Sequence, residues 1–403
     1  MKTLRPLGLY IHIPFCKAKC IYCDFYSLPR SEGRMDAYTD ALCAHLTEAA
    51  PLASSHTVDT VYFGGGTPSY LGEKRLSKIL KVIEKRYHVA KDAEITFEAN
   101  PDSAGDWKAL RTLRRAGFNR ISLGMQSACD AELKAIGRVH TAEQVGQAVE
   151  AARKAKIKNL TLDLIYGLPG QTQERWMENL AAAVALNPEH LSCYGLKVEE
   201  GTPLFAVKDT ADLPGDEEQA DMYLQTVEFL KQYGYAQYEI SNFAKPGYAS
   251  RHNLKYWRLQ EYAGFGPGAH SDFGGVRYAY EKDLEAYIAA AHGGQFQFSE
   301  NAAIPARERD AEWIMLGSRT VYGLDPKEYE NRFRRRFDPI FLPFLQKCEA
   351  AGYAVEEDGR WHLTPKGFLV SNQIIGELLD AQTAEKQRRA EATARGDFRV
   401  QLD

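Results

Sequence analysis

No apolar run in the 403-residue sequence approaches the roughly 20 residues that a membrane-spanning helix needs. The opening segment, MKTLRPLGLYIHIPFC, lacks a long apolar centre and a small-residue cleavage site, so no secretory signal is expected there. One-sided charge is missing too. The formal net charge is −4, which offers no footing for nucleic acid or an anionic membrane. Cysteine is scarce and unevenly placed: there are 7, an odd number, and three of them fall between positions 16 and 23. That excludes the paired framework of a small secreted domain and fits a reducing cytoplasm. Cys43, Cys129, Cys193 and Cys348 read as small buried hydrophobes. With 44% hydrophobic and 26% charged residues, the chain can bury a sizeable core. Its length suggests two or three domains of roughly 100–200 residues each.

Short β-branched or aromatic segments at 9–13, 58–63, 94–98, 120–123, 159–165 and 191–196 alternate with helical periodicity at 35–49, 73–87, 106–116, 142–155 and 174–185. Strand–helix alternation predicts parallel strands joined by crossover helices, hence a barrel or open α/β sheet. Polar and glycine residues gather just past the strand ends: Gly64–Thr67, Asn100, Gln126 and Gly167. Parallel α/β folds place their sites there. A seventh strand is expected at 237–240, before an aromatic and glycine-rich stretch, 242–280. From 281 the pattern turns to helices at 283–291, 307–322, 326–333 and 339–351. A β-like pair, 353–356 and 359–363, follows around Glu357-Asp358-Gly359. This predicts a winged-helix-like domain over 281–380 after a main domain at 1–280, with a polar tail at 381–403.

The strongest chemical signal is Cys16-x3-Cys20-x2-Cys23, just after the first strand. Three thiolates from one loop can ligate three corners of a cubane cluster. A structural zinc site normally takes four ligands in two pairs, and no second pair exists. An iron left without a protein ligand must be bound by something else. In radical chemistry that is the amino and carboxylate end of S-adenosylmethionine, whose cleavage the reduced cluster drives.

The cysteine run, the preceding Tyr10-Ile11-His12-Ile13-Pro14-Phe15, and Gly64-Gly65-Gly66-Thr67-Pro68 resemble the oxygen-independent coproporphyrinogen III oxidase group of radical SAM proteins. So do Gly124-Met125-Gln126-Ser127, the stretch from Asp163 to Pro169, and His252-Asn253-Leu254-Lys255-Tyr256-Trp257. Within the group the chain is most similar to the haem-chaperone branch. The resemblance implies a partial, open (β/α) barrel with a C-terminal helical, winged-helix-like domain. It implies a [4Fe–4S] cluster on Cys16, Cys20 and Cys23, with S-adenosylmethionine lined by Tyr10, Gly65, Gly66, Thr67, Glu98, Gln126, Arg138 and Asp163. It also implies haem, with His252 as the ligand and His270 as the rival; the bland alternative is that His252 is a hydrogen-bonded core residue.

Two departures separate the chain from the oxidases. Phe25 stands where they carry a further cysteine, and only 15 residues precede Cys16. The favoured expectation is a cytoplasmic haem chaperone that binds haem and hands it to acceptor proteins, and no catalytic residue is assigned. The rival is a radical SAM enzyme that acts on coproporphyrinogen III or another tetrapyrrole. Nucleic acid is not an expected partner, membrane contact is expected only through acceptors, and a homodimer stays open.

Overall fold

The computed structural model describes residues 4–291, 293–305 and 308–394. The chain divides into two compact units. The first runs to 303 apart from 238–240 and 256–259; the second gathers those two short pieces with the residues from 304 onward.

The first unit carries one 12-stranded sheet. Its centre is six parallel strands in sequence order: β1 (Arg5–Ile13), β2 (His56–Gly65), β3 (Val89–Ala99), β4 (Arg120–Gln126), β5 (Asn159–Tyr166) and β6 (His190–Gly195). The crossovers include α1 (Met35–Ala49), α2 (Glu73–Arg86), α3 (Trp107–Ala116), α4 (Ala142–Lys154) and α5 (Gln173–Ala185). Local chemistry sets their ends. Asp106 accepts from the Lys108 N–H to start α3, and Gly117 stops it at φ +120°. Thr141 and Gln144 form a capping box at the start of α4.

Between their bulges the strands alternate, and that alternation explains the site. One face carries Leu9, Ile11, Val61, Phe63, Phe97, Ile121 and Leu162, all fully buried. They share a single core with Leu76, Ile79, Leu80 and Ile83 of α2, which recur at the spacing of one helical face. Burying each such side chain contributes about 1.5–3 kcal/mol. The other face carries Tyr10, His12, Thr60, Tyr62, Glu98, Ser122 and Asp163. Parallel strands covered on both sides usually read as continuous apolar runs. A polar inner face on such strands marks an interior built to hold a ligand.

Beyond β6 the sheet departs from the sequence expectation. The seventh strand predicted at 237–240 is split. β7 (Ala236–Gln237) and β8 (Asn242–Ala244) pair antiparallel, β8 lies against β6, and residues 238–240 leave for the second unit. The stretch 242–280 supplies α6 (Arg251–Trp257), then β9 (Tyr262–Phe265), which runs parallel to the other side of β1. β10 (His270–Phe273), β11 (Val276–Tyr280) and β12 (Phe298–Ala303) follow antiparallel. Sheet pairing therefore continues past the change of pattern at 281, to Ala303.

The second unit holds α7 (Asp310–Gly317), α8 (Pro326–Phe333), α9 (Asp338–Ala350), the hairpin β13 (Ala354–Glu357) and β14 (Arg360–Leu363), and α10 (Ser371–Ala394). Tyr329, Phe333, Phe337 and Phe341 pack ring on ring in its core. The expected helix from 307 begins at Asp310; residue 307 lies outside the described residues. The polar tail expected from 381 is helical as far as Ala394, where Glu385 pairs with Arg388 and Arg389 and Lys386 reaches the buried Asp310 at 3.0 Å. Residues 395–403 lie outside the described residues. No helix among the described residues is long and apolar enough to cross a membrane.

Candidate cluster and cofactor site

The cysteine loop leaves β1 and is held from several sides. His12 Nε2 lies 2.9 Å from the Tyr26 carbonyl and ties the far end of the loop to β1, while Tyr10 Oη contacts His12 Nδ1 at 3.1 Å. Lys17 bridges to Asp102 at 3.2 Å. The glycine turn after β2 is strapped to the same loop: Gly66 N–H donates to Ile13 O and Thr67 N–H to Phe15 O, each at 2.8 Å. Only glycine fits here. A Cβ on Gly66 would stand 2.7 Å from Phe15 O, and Gly65, at φ +111°, would drive one into the His12 ring.

This puts Thr67 Oγ1 at 3.4 Å from Cys16 Sγ. From the opposite side Arg138 Nη1 reaches Cys20 Sγ at 3.6 Å. The same guanidinium donates to Asn100 Oδ1 at 2.7 Å and to Gly124 O at 2.9 Å. Asn100 in turn donates to Thr67 Oγ1 at 3.2 Å. Cys16 and Cys20 are thus joined through Thr67, Asn100 and Arg138, residues from three different strand ends. Burial raises the Cys16 and Cys23 thiols above the ordinary thiol range. All three cysteines are free thiols.

Three thiols on one loop are donors of the kind an iron–sulfur cluster takes. Among the described residues no group of three or more His, Cys, Asp or Glu side chains is spaced to hold one metal ion. Sulfurs about a tetrahedral zinc stand at roughly 2.3 Å from the metal. A cubane, whose corner irons are separate atoms, takes its thiolates from wider apart. Arg138 lies beside the cysteine loop, and its charge offsets a small part of the effect of burial on the Cys16 thiol.

Deeper along the strands lie the two carboxyls expected from the sequence. Glu98 accepts from Tyr62 Oη at 2.8 Å and from the Gly65 N–H, and burial pushes its pKa up to about 7. Asp163 accepts from Ser122 at 2.8 Å and from Ser192, and burial raises its pKa as well. Gln126 is buried at the end of β4. A Cβ on Gly124 would meet Arg138 Nη2 and Gln126 Nε2 at 2.8 Å each, so these two side chains converge over a glycine that must lack one. Tyr10, Gly65, Gly66, Thr67, Glu98, Gln126, Arg138 and Asp163 therefore come together at one end of the strands. Sequence reasoning had Asn100 among the strand-end polar residues but missed Tyr62, Ser122 and Ser192. Each alternates with apolar neighbours on its own strand, and each lies opposite an expected site residue: Tyr62 by Tyr10, Ser122 by Glu98 and Ser192 by Asp163.

His252, the expected haem ligand, lies on α6. It is 1% exposed, against Gly8 of β1 and Thr60 of β2. Its Nδ1 pairs with Thr60 Oγ1 at 2.8 Å, and its ring stacks on Tyr62 with centroids 5.2 Å apart. Burial, then the charge of Lys255, pushes its pKa down to about 3. Lys255 is itself buried, paired with Asp59 at 2.7 Å, and Glu94 accepts from the His252 N–H. His252, Leu254 and Lys255 are buried, and the imidazole is enclosed by Thr60, Tyr62 and the backbone at Gly8. His270, the rival, stands open at the start of β10 with a side chain 58% exposed.

Residues 10–183 match the Radical SAM superfamily, and residues 304–370 match the HemN C-terminal domain. The heme chaperone HemW of Bacillus subtilis is 35% identical over 92% of this chain and 98% of its own length. The chain belongs to the HemW family. The Escherichia coli heme chaperone HemW is similarly close, 36% identical over 93% of this chain and 98% of its own. Among solved structures, coproporphyrinogen III oxidase (HemN) from Escherichia coli, a radical SAM enzyme, superimposes with a TM-score of 0.81 at 27% identity, covering 93% of this chain and 90% of that one. This chain and HemN thus share one fold over most of their lengths.

Proposed function

We propose that the chain is a cytoplasmic haem chaperone: it binds haem and passes it to acceptor proteins, carrying a [4Fe–4S] cluster on Cys16, Cys20 and Cys23 and S-adenosylmethionine at the fourth iron. The observation that carries this reading is the end-to-end likeness to relatives named heme chaperones. Phe25 supports it. In the oxidases a further cysteine stands at this position; here an apolar ring stands 64% exposed beside the cysteine loop.

The geometry favours His270 over His252 as the haem ligand. Gly268, two residues before His270, packs against Tyr26 and Lys282: a Cβ there would lie 3.6 Å from Tyr26 Cβ and 3.3 Å from Lys282 Cγ. An exposed imidazole for the iron, aromatic rings for the porphyrin face and an ammonium for a propionate are thereby gathered next to the cysteine loop.

When bound, the cluster and cofactor supply one-electron chemistry. The residues of the chain hold and orient. Arg138 suits the methionine carboxylate, and Glu98 and Asp163 suit the ammonium and the ribose hydroxyls. Glu98 gives this a pH signature. Below about pH 7 its carboxyl is protonated and neutral; above, the carboxylate attracts an ammonium. Cofactor affinity should therefore rise between about pH 6 and pH 8, and Glu98→Gln should flatten that rise. Asp163→Ala should weaken binding roughly ten- to hundredfold with iron content unchanged. Unchanged affinity in Asp163→Ala and no pH dependence in the parent would place the pocket elsewhere.

The function itself is tested by offering haem and coproporphyrinogen III separately to the cluster-loaded chain under reducing, oxygen-free conditions. Stoichiometric haem uptake without decarboxylation is expected. Steady decarboxylation of coproporphyrinogen III would make the chain an oxidase, the reading that its fold shares with HemN.

A further inference from the structure

The end of β4 is irregular, and a histidine with no role so far holds it. β4 and β5 pair evenly up to Gly124 and Asp163, and then Gln126 falls opposite Leu164. Met125 is the extra residue of a β-bulge. In an even ladder Gln126 would lie opposite Ile165, on the inner face with Gly124. Leu164 alternates with Asp163 and belongs to the outward-facing core. The bulge alone would swing Gln126 away from the interior.

Gln126 avoids this by taking φ +62°, a left-handed conformation that glutamine rarely adopts. Its amide returns to the inner face, against Gly124 and beside Arg138. Two donors to one acceptor close this strained turn. The Met125 carbonyl receives the Ser127 N–H at 2.8 Å across three residues, and the His140 Nε2–H at 3.1 Å. His140 is 3% exposed, and burial, with the Arg138 charge, pushes its pKa down to about 4. Its ring is therefore neutral near pH 7, with the proton on the nitrogen that faces the carbonyl. Strain of this kind persists only where the surroundings over-determine it, and it clusters at ligand sites.

We infer that His140 is a positioning residue that locks the β4 bulge and thereby aims the Gln126 amide, next to Arg138 and Asn100, at S-adenosylmethionine. The inference rests on the cofactor reading above. It separates His140 from a plain core histidine by demanding one donor atom at one place.

The test is equilibrium binding of S-adenosylmethionine to the cluster-loaded chain, with iron content and thermal midpoint measured for each variant. His140→Phe keeps the bulk of the ring and loses the donor; it should bind about tenfold more weakly with iron retained. His140→Gln puts an amide nitrogen where Nε2 was and should recover most of the affinity. In a Gln126→Ala background, His140→Phe should cost nothing further, because His140 acts through Gln126. If His140→Phe does not load its cluster, His140→Asn, whose amide is too short to reach the carbonyl, takes its place beside His140→Gln. Equal binding by the parent and His140→Phe, or a Gln variant no better than Phe or Asn, overturns the inference alone. A parent chain that takes no S-adenosylmethionine overturns it together with the cofactor reading.

Discussion

Cys16→Ala, Cys20→Ala and Cys23→Ala are each expected to abolish the broad visible absorption of an iron–sulfur cluster and to leave the purified chain without stoichiometric iron. The same substitution at Cys43, Cys129, Cys193 or Cys348 should leave both unchanged. The effect is all or none on the proposed reading, in which the loop supplies every protein ligand. The four remaining thiols belong to other parts of the fold: Cys193 and Cys348 are buried, and Cys129 lies 2.8 Å from Arg175 Nη1. The hydrogen bonds that link Cys16 and Cys20 through Thr67, Asn100 and Arg138 involve none of the four. Iron and absorption measured together separate cluster loss from unfolding, since a thermal midpoint close to that of the metal-free parent shows that the barrel remains. Full cluster content in Cys20→Ala would refute the ligand assignment.

Loss of Arg138 is a subtler matter. The guanidinium touches Cys20 Sγ, Asn100 and the Gly124 carbonyl, so its removal unties the cysteine loop from two strand ends as well as removing the proposed partner of the cofactor carboxylate. A double-mutant cycle with Asn100 would apportion these effects.

How much of this was legible in the sequence depends on how far apart the interacting residues lie. The cysteine run needed no tertiary information, because its three ligands sit within one loop. The six parallel strands were legible for a similar reason: each is a local β-branched run followed by a local helical period. Arg138 and Asp163 could be named through resemblance, yet nothing local shows that Arg138 spans from Cys20 to Gly124. The bulge at Met125 was invisible, because Gly124-Met125-Gln126 reads as ordinary alternation until β5 is beside it.

His252 shows the limit most sharply. The motif His252-Asn253-x-x-Tyr256-Trp257 looks like a haem ligand with aromatic neighbours, but the partner that settles the imidazole, Thr60, is 192 residues away in sequence. A buried histidine with a hydroxyl partner and a stacked tyrosine is what a core position looks like from inside. The seventh strand failed for a related reason. Residues 237–240 carry strand-forming side chains, but β6 takes its antiparallel neighbour from 242–244, and 238–240 go to the second unit, where Glu239 bridges Thr320. Propensity was right about extension and could not choose the partner.

The haem titration with its two histidine variants tests the central claim most directly. His252→Ala would orphan Thr60 and open a cavity, at a cost of roughly 2–4 kcal/mol, so the informative change there is His252→Asn, whose side chain can keep the Thr60 hydrogen bond. The parent chain, His270→Ala and His252→Asn are each titrated with haem and followed by the absorption band of imidazole-ligated iron, with thermal midpoints in parallel. Removing an axial ligand changes the spectrum itself and not merely the uptake. The account predicts that the parent and His252→Asn show the same haem band, and that His270→Ala loses or shifts it while remaining folded. A band lost in His252→Asn and kept in His270→Ala would contradict the placement of haem beside the cysteine loop, and no specific band in the parent would contradict haem binding altogether.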